Sequence, residues 1–250
     1  MSRRRPDTTA RDEVYAKRLP KRIFNSKPRL EIGRRFGLAK ALIITGTPGT
    51  GKSSLARALS DRLKLQFIDV GDLVEKEHLY SRVGPWRSKI VKTSRLKARL
   101  NELVSTSSVD VIVETHILPV LPKELVKAVI VLRTNPIELV NRLRSLGWDE
   151  GKVKENVLAE LLDYCLSRAI KFYGKKKVWE VDTSNKNPKR VLEEVLKIID
   201  GKVKRKRAPI DWIEKVPSEL ILSITEDVKH GSMEREGLFT RYGPATSTSF

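Results

Sequence analysis

The stretch Gly46-Thr47-Pro48-Gly49-Thr50-Gly51-Lys52-Ser53-Ser54 sets three glycines before one cation and two serines. It satisfies G-x-x-x-x-G-K-[ST], a pattern in which bare backbone N–H groups wrap phosphate oxygens, the lysine reaches the terminal phosphates and the hydroxyl ligates Mg²⁺. Gly49, Gly51, Lys52, Ser53 and Ser54 are therefore the expected binding residues for a nucleoside triphosphate carrying Mg²⁺. Phosphoryl transfer further needs charge neutralised on the moving group and an acceptor held in line. Lys52 begins the first task, and Ser53 is the expected direct metal ligand. Glu114, read as the carboxyl end of a strand beside the first, is placed to hold the metal through water or to orient a nucleophile. His116 points the same way if the chain stays extended, and Asp110 competes as the acidic partner from a lower rank, because it precedes the apolar run.

Cations that close over phosphates should come from a mobile segment, since a permanently closed site excludes substrate. Arg142, Arg144, Lys152 and Lys154 surround Gly147 and Gly151 and would form a short lid over 143–155. The second substrate belongs in the crevice at the carboxyl ends of the strands, near Gly71-Asp72 and Glu114. Arg82, Arg87 and Arg95, in a basic insert at 73–105, are the candidates for holding its monophosphate.

These residues need a scaffold, and the pattern between Ala41 and Ile199 supplies one by alternating strand and helix, which implies a parallel sheet with right-handed crossovers. Strands are expected at 41–45, 66–70, 109–113, 128–132 and 178–181. The apolar run Ala41–Ile44 suits a strand buried on both faces. The helix after the glycine-rich turn should cover 53–63, with Leu55, Leu59 and Leu63 on one stripe. Asn135-Pro136-Ile137-Glu138 combines an N-cap, proline at the first helical position and glutamate three residues after the cap. A new cap at Asp149 predicts one long helix to Phe172, stopped at Gly174, and a last amphipathic helix covers 188–199. The insert reads as helical, and 210–224 holds enough apolar surface to dock as a helix or two.

The domain at 41–200 is flanked by a basic arm at 1–40 and a basic extension at 201–250. Net charge is +19, and residues 1–40 contribute 13 Lys/Arg against 4 Asp/Glu. The arm lacks apolar periodicity and is expected to be poorly ordered alone, as is the end from Gly243. A second basic knot comprises Lys202, Lys204, Arg205, Lys206 and Arg207. Both suit RNA contact by phosphate neutralisation. Cys165 is the single cysteine, which excludes a disulfide framework or a four-thiolate zinc site and reads as core packing. No apolar run approaches the ~20 residues of a membrane span, so the expected location is cytosolic, or nuclear in a eukaryote.

GTPGTGKSS at 46–54, VGDL at 70–73, VIVETH at 111–116, VLRTNP at 131–136 and RLRSLGWDEGKVKENVLAEL at 142–161 together resemble the adenylate kinase isoenzyme 6 family of archaea and eukaryotic nuclei. The resemblance covers about 41–200. It implies a P-loop NTPase three-layer sandwich with a five-stranded parallel sheet of nucleoside monophosphate kinase type. It also implies reversible transfer of phosphate between ATP and AMP, ATP hydrolysis, and a part in late small-subunit ribosome maturation with ribosomal protein S-eleven as partner. The alternatives are an ATP-hydrolysing assembly factor with little kinase activity and a kinase acting on polynucleotide ends. Three departures stand out, one being an insert at 73–105 more basic than the resemblance implies. The family's Asp-x-His-Gly is Glu114-Thr115-His116-Ile117 here, and its lid arginine falls on Leu146.

Overall fold

A computed structural model of the chain describes residues 39–83, 89–203, 210–225 and 241–242. Most of the basic arm, Arg87, most of the second basic knot and the end from Gly243 lie outside the described residues.

Five parallel strands form the central sheet: β1 (Ala41–Gly46), β2 (Gln66–Asp69), β5 (Val111–Glu114), β6 (Val126–Arg133) and β7 (Val178–Asp182), in the order β2-β5-β1-β6-β7. Every residue of β1 is buried, as a central strand covered on both faces must be. Ala41 and Ile43 point into one apolar layer with Leu96, Leu100 and Val104 of α3 (Thr93–Ser105) and Leu166, Ala169 and Tyr173 of α6 (Tyr164–Tyr173). Leu42 and Ile44 point to the other face, against Leu55 and Leu59 of α1 (Lys52–Leu63) and Val191, Val195 and Ile198 of α7 (Pro188–Ile199). Strict alternation along one strand thus builds the three layers of an α/β P-loop NTPase fold.

Parallel register sends all five carboxyl ends to one edge of the sheet. Gly46, Asp69, Glu114, Arg133 and Asp182 end their strands there, and the strand order reverses around β1, where ligand crevices form.

A third apolar cluster joins Leu139 and Leu143 of α4 (Pro136–Ser145) and Val153, Val157 and Leu161 of α5 (Glu150–Leu161) to Ile210, Trp212, Val216 and Ile224. The segment 210–225, ending in α8 (Ser218–Thr225), is therefore packed onto α4 and α5.

The structure departs from sequence expectation in three places. Val70 leaves β2 and opens α2 (Val70–Lys76), because the Asp69 carboxylate caps that helix by accepting from Gly71 N and Asp72 N. The insert is not wholly helical: β3 (Tyr80–Val83) and β4 (Lys89–Val91) form an antiparallel hairpin before α3, and β8 (Arg241–Tyr242) adds to the edge of β4. The long helix expected over 149–172 is two helices, α5 and α6. Asp163 sits between them at φ 52, with its carboxylate on Arg133 Nη2.

Candidate active site

The phosphate-loop pattern folds where β1 must turn into α1. Gly51 adopts φ 91 at the N-cap of α1, a conformation that side chains resist, and so points the helix's unpaired N–H groups into the turn. Gly49 adopts φ 86, and a Cβ there would lie 2.9 Å from both Leu139 Cδ1 and Leu143 Cδ2. The loop backbone therefore rests directly on α4. Lys52 is buried, its Nζ donating to Thr47 O at 3.2 Å and standing 3.9 Å from Glu114 Oε1. The hydroxyl of Thr50 donates to the same Thr47 carbonyl at 2.8 Å. The result is a concave set of donors at the positive end of a helix, a ready site for an anion.

Glu114 ends β5 directly beside β1. Ser53 Oγ donates to its Oε2 at 3.3 Å, and Asp69 lies opposite it in register on β2. Burial pushes the Glu114 carboxyl up to about 7; Lys52 and the Ser53 hydroxyl oppose the rise, while Asp69 adds to it. A hydroxyl and two carboxylates are hard oxygen donors of the kind Mg²⁺ takes. Among the described residues no group of three or more His, Cys, Asp or Glu forms a protein-only cage. The hydroxyl of Ser53 and the carboxylates of Glu114 and Asp69 fit Mg²⁺ by their chemistry.

The cations expected to form a lid divide. Arg142 spans from Glu138 Oε1 to the carbonyls of Gly49 (3.2 Å) and Thr183 (3.2 Å), so it braces the loop from behind. Arg144 is exposed and paired with Glu150. Lys152 is buried, paired with Glu155 Oε2 at 2.7 Å. It lines a cavity of about 30 Å³ together with Thr47, Pro48, His116, Trp148 and Tyr164. The buried Trp148 Nε1 meets no acceptor among the described residues. Such a space holds roughly two waters.

Residues 42–163 match the family described as "AAA domain". A protein of Methanocaldococcus jannaschii named "Putative adenylate kinase" is 34% identical over 184 residues, 73% of this chain and 98% of that protein. The chain belongs to this adenylate kinase-like family. Another member of the same name, from Pyrococcus furiosus, is 34% identical over 185 residues, 72% of this chain and 94% of that protein. Among solved structures, shikimate kinase from Bacteroides thetaiotaomicron aligns at a TM-score of 0.46 with 18% identity, over 64% of this chain and 98% of that one.

Within this adenylate kinase-like chain, several expected residues stand apart from the loop. Asp110 lies at the amino end of β5, where it pairs with Lys127 and accepts from Lys40 N at 2.9 Å. It faces the opposite edge of the sheet and cannot act with Lys52. The amides of Gly71 and Asp72 are spent on Asp69 Oδ1. Arg95 is an exposed residue of α3, the side chain of Arg82 lies outside the described residues, and Ser54 is exposed on α1. Cys165 is buried, and burial raises its thiol to about 11, which leaves it inert at neutral pH.

Sequence reasoning missed Asp69, Arg133 and Glu160. Asp69 was readable as an acid closing a strand, like Glu114. Arg133 and Glu160 lay unremarked inside the quoted stretches 131–136 and 142–161, because a charged residue that is fully buried looks the same in a sequence as one in water.

Proposed function

We propose that the chain is a nucleoside monophosphate kinase that transfers the γ-phosphoryl group of ATP to AMP and also hydrolyses ATP. The observation that carries this reading is the glycine-opened turn into α1, with Lys52 and Ser53 both reaching Glu114. In this reading the amides of Gly49 to Ser53 receive phosphate oxygens, and Lys52 offsets charge on the transferring group. Mg²⁺, when bound, would neutralise the phosphates, with Ser53 as direct ligand and Glu114 acting through water. Glu114 and His116 orient the acceptor or an attacking water. Lys152 and the unpaired Trp148 indole close the site from the lid, while Arg142 keeps the loop seated. Arg144 is paired with Glu150 on the surface. Kinase-named relatives support the phosphotransferase class.

One observation favours a second reading, an ATP-driven assembly factor with weak transfer. Leu146, at the family's lid-arginine position, is 46% exposed and brings no charge to the site. The family resemblance suggests that this activity serves late small-subunit ribosome maturation, with ribosomal protein S-eleven and the pre-ribosomal particle as partners. An RNA contact fits the sheet's amino edge. Lys40, Lys123, Lys175 and Lys176 are exposed there, the Lys177 ammonium donates to Lys123 O at 2.5 Å, and the basic arm joins the chain at Lys40.

The test is transfer of labelled phosphate from ATP to a panel of monophosphates and to RNA ends, with phosphate release measured alongside. AMP labelling supports the kinase, phosphate release alone the assembly factor, and labelled RNA ends a polynucleotide kinase. Lys52→Ala should lower turnover by about 10²–10³-fold, the scale for a preorganised charge at the reacting group. Unchanged turnover in that variant rules out all three.

A further inference from the structure

The carboxylate of Glu160 is 2% exposed and lies on α5 next to Ala159, which with Thr47 lines the cavity beside the loop. One of its oxygens, Oε1, receives Arg133 Nε at 2.7 Å, Thr134 N at 3.1 Å and the indole Nε1 of Trp212 at 3.2 Å. The other oxygen, Oε2, receives the hydroxyl of Thr47 at 2.6 Å. Thr47 is itself a phosphate-loop residue, and its carbonyl is the acceptor for Lys52 Nζ and Thr50 Oγ1. A continuous chain of buried hydrogen bonds thus runs from Trp212, in the C-terminal segment, through Glu160 and Thr47, to the lysine of the loop.

We propose that Trp212 is a positioning residue for the triphosphate: its indole N–H fixes the Glu160 carboxylate, which holds Thr47 and so sets where Lys52 points. This rests on the reading of 46–54 as a triphosphate cradle. The neighbouring contacts explain why Trp212 has leverage. Ile210 N donates to Glu180 Oε2 at 3.0 Å, while Arg133 Nη1 donates to Glu180 Oε1 at 2.7 Å. The Arg133 guanidinium also lies 5.9 Å from the Trp212 ring centroid. The C-terminal segment therefore touches two of the three carboxylates that hold Arg133, and Trp212 seals the third apolar cluster over them. A carboxylate in such a closed setting has little freedom, and each donor that orients it restricts the oxygen left for Thr47. Losing the indole donor frees the carboxylate to rotate toward Arg133, at the expense of the Thr47 bond.

Trp212→Phe in the full chain keeps an aromatic ring and deletes the donor. Calorimetric titration with Mg·ATP and, separately, with AMP should show ATP bound about three- to tenfold more weakly, the scale of one hydrogen bond to a charged acceptor that is partly transmitted. AMP affinity should stay within about twofold. Thr47→Val should weaken ATP similarly, and the double variant should be no worse than the weaker single one, because both cut the same chain. Ile224→Ala removes packing from the same segment without touching Glu160; it should lower the melting temperature and leave ATP affinity unchanged. The proposal is overturned if Trp212→Phe leaves ATP affinity unchanged, if it weakens ATP and AMP equally, if its effect adds to that of Thr47→Val, or if Ile224→Ala matches it. The unaltered chain and Lys52→Ala serve as reference: equal ATP affinity in those two sinks the cradle reading itself, whereas a difference there with no effect at Trp212 sinks only this inference.

Discussion

Glu114 shows how one residue can serve a site at the expense of the fold. Its folded carboxyl keeps a proton up to about pH 7, whereas a glutamate in the unfolded chain releases it near 4.5. Between those values the folded state binds more protons than the unfolded one, so stability falls as pH rises through the window. Glu114→Gln mimics the protonated form. In metal-free protein it should leave stability nearly unchanged at pH 4 and raise it by about 3 kcal/mol at pH 8, since each pH unit of that window is worth about 1.36 kcal/mol. Urea unfolding at the two pH values checks both the sign and the window, and equal effects at both would contradict it. Leu146 offers the converse experiment. It is the C-cap residue of α4 at the rim of the site, and Leu146→Arg should raise phosphate transfer to AMP relative to ATP hydrolysis by about tenfold, if a lid cation is what the site lacks. Parallel assays of transfer and phosphate release on one preparation would show whether that ratio moves.

Elements governed by local rules were legible, and those governed by distant partners were not. Gly46, Gly49 and Gly51 announced the loop because a tight turn onto a helix needs positive φ. Asn135-Pro136 announced α4, and the Asn135 side chain does accept from Ile137 N. Glu138 behaves differently from a capping-box residue. It leaves the helix start to pair with Arg142 and to accept from Asn185 N. The break between α5 and α6 has no glycine or proline to mark it. It exists because Asp163 turns back to Arg133, a partner 30 residues away. The hairpin at 80–91 was hidden by an insert rich in cations, whose apolar positions are too few to show a period. Arg133 is the element that these long-range pairings share. At 1% exposure it bonds Glu160, Asp163 and Glu180, and their charges outweigh the burial that would otherwise lower its pKa. Removing one partner of a buried ionic cluster leaves the others uncompensated. Arg133→Met should therefore cost about 3–5 kcal/mol in urea unfolding at pH 7.

At the scale of the molecule, strand polarity divides the surface in two. The glycine-rich loop and Glu114 occupy the carboxyl edge, while the amino edge gathers lysines that no nucleotide at the loop can use. Burial lowers the Lys177 pKa, and the nearby charges of Lys40 and Lys123 lower it further, so this crowding works against the fold. If the edge and the arm meet RNA together, deleting residues 1–39 should leave AMP phosphorylation intact and flatten the salt dependence of RNA affinity. Replacing Lys123, Lys175 and Lys176 by alanine should lower the slope by about 2, at ~0.7 per phosphate contact on a single strand. Fluorescence anisotropy across a salt series reads both, and an unchanged slope in both variants removes the amino edge from consideration. One consequence follows from the polarity alone. A body moored by its amino edge keeps its mouth turned to open water, so fuel and spent product can come and go without the vessel slipping its berth.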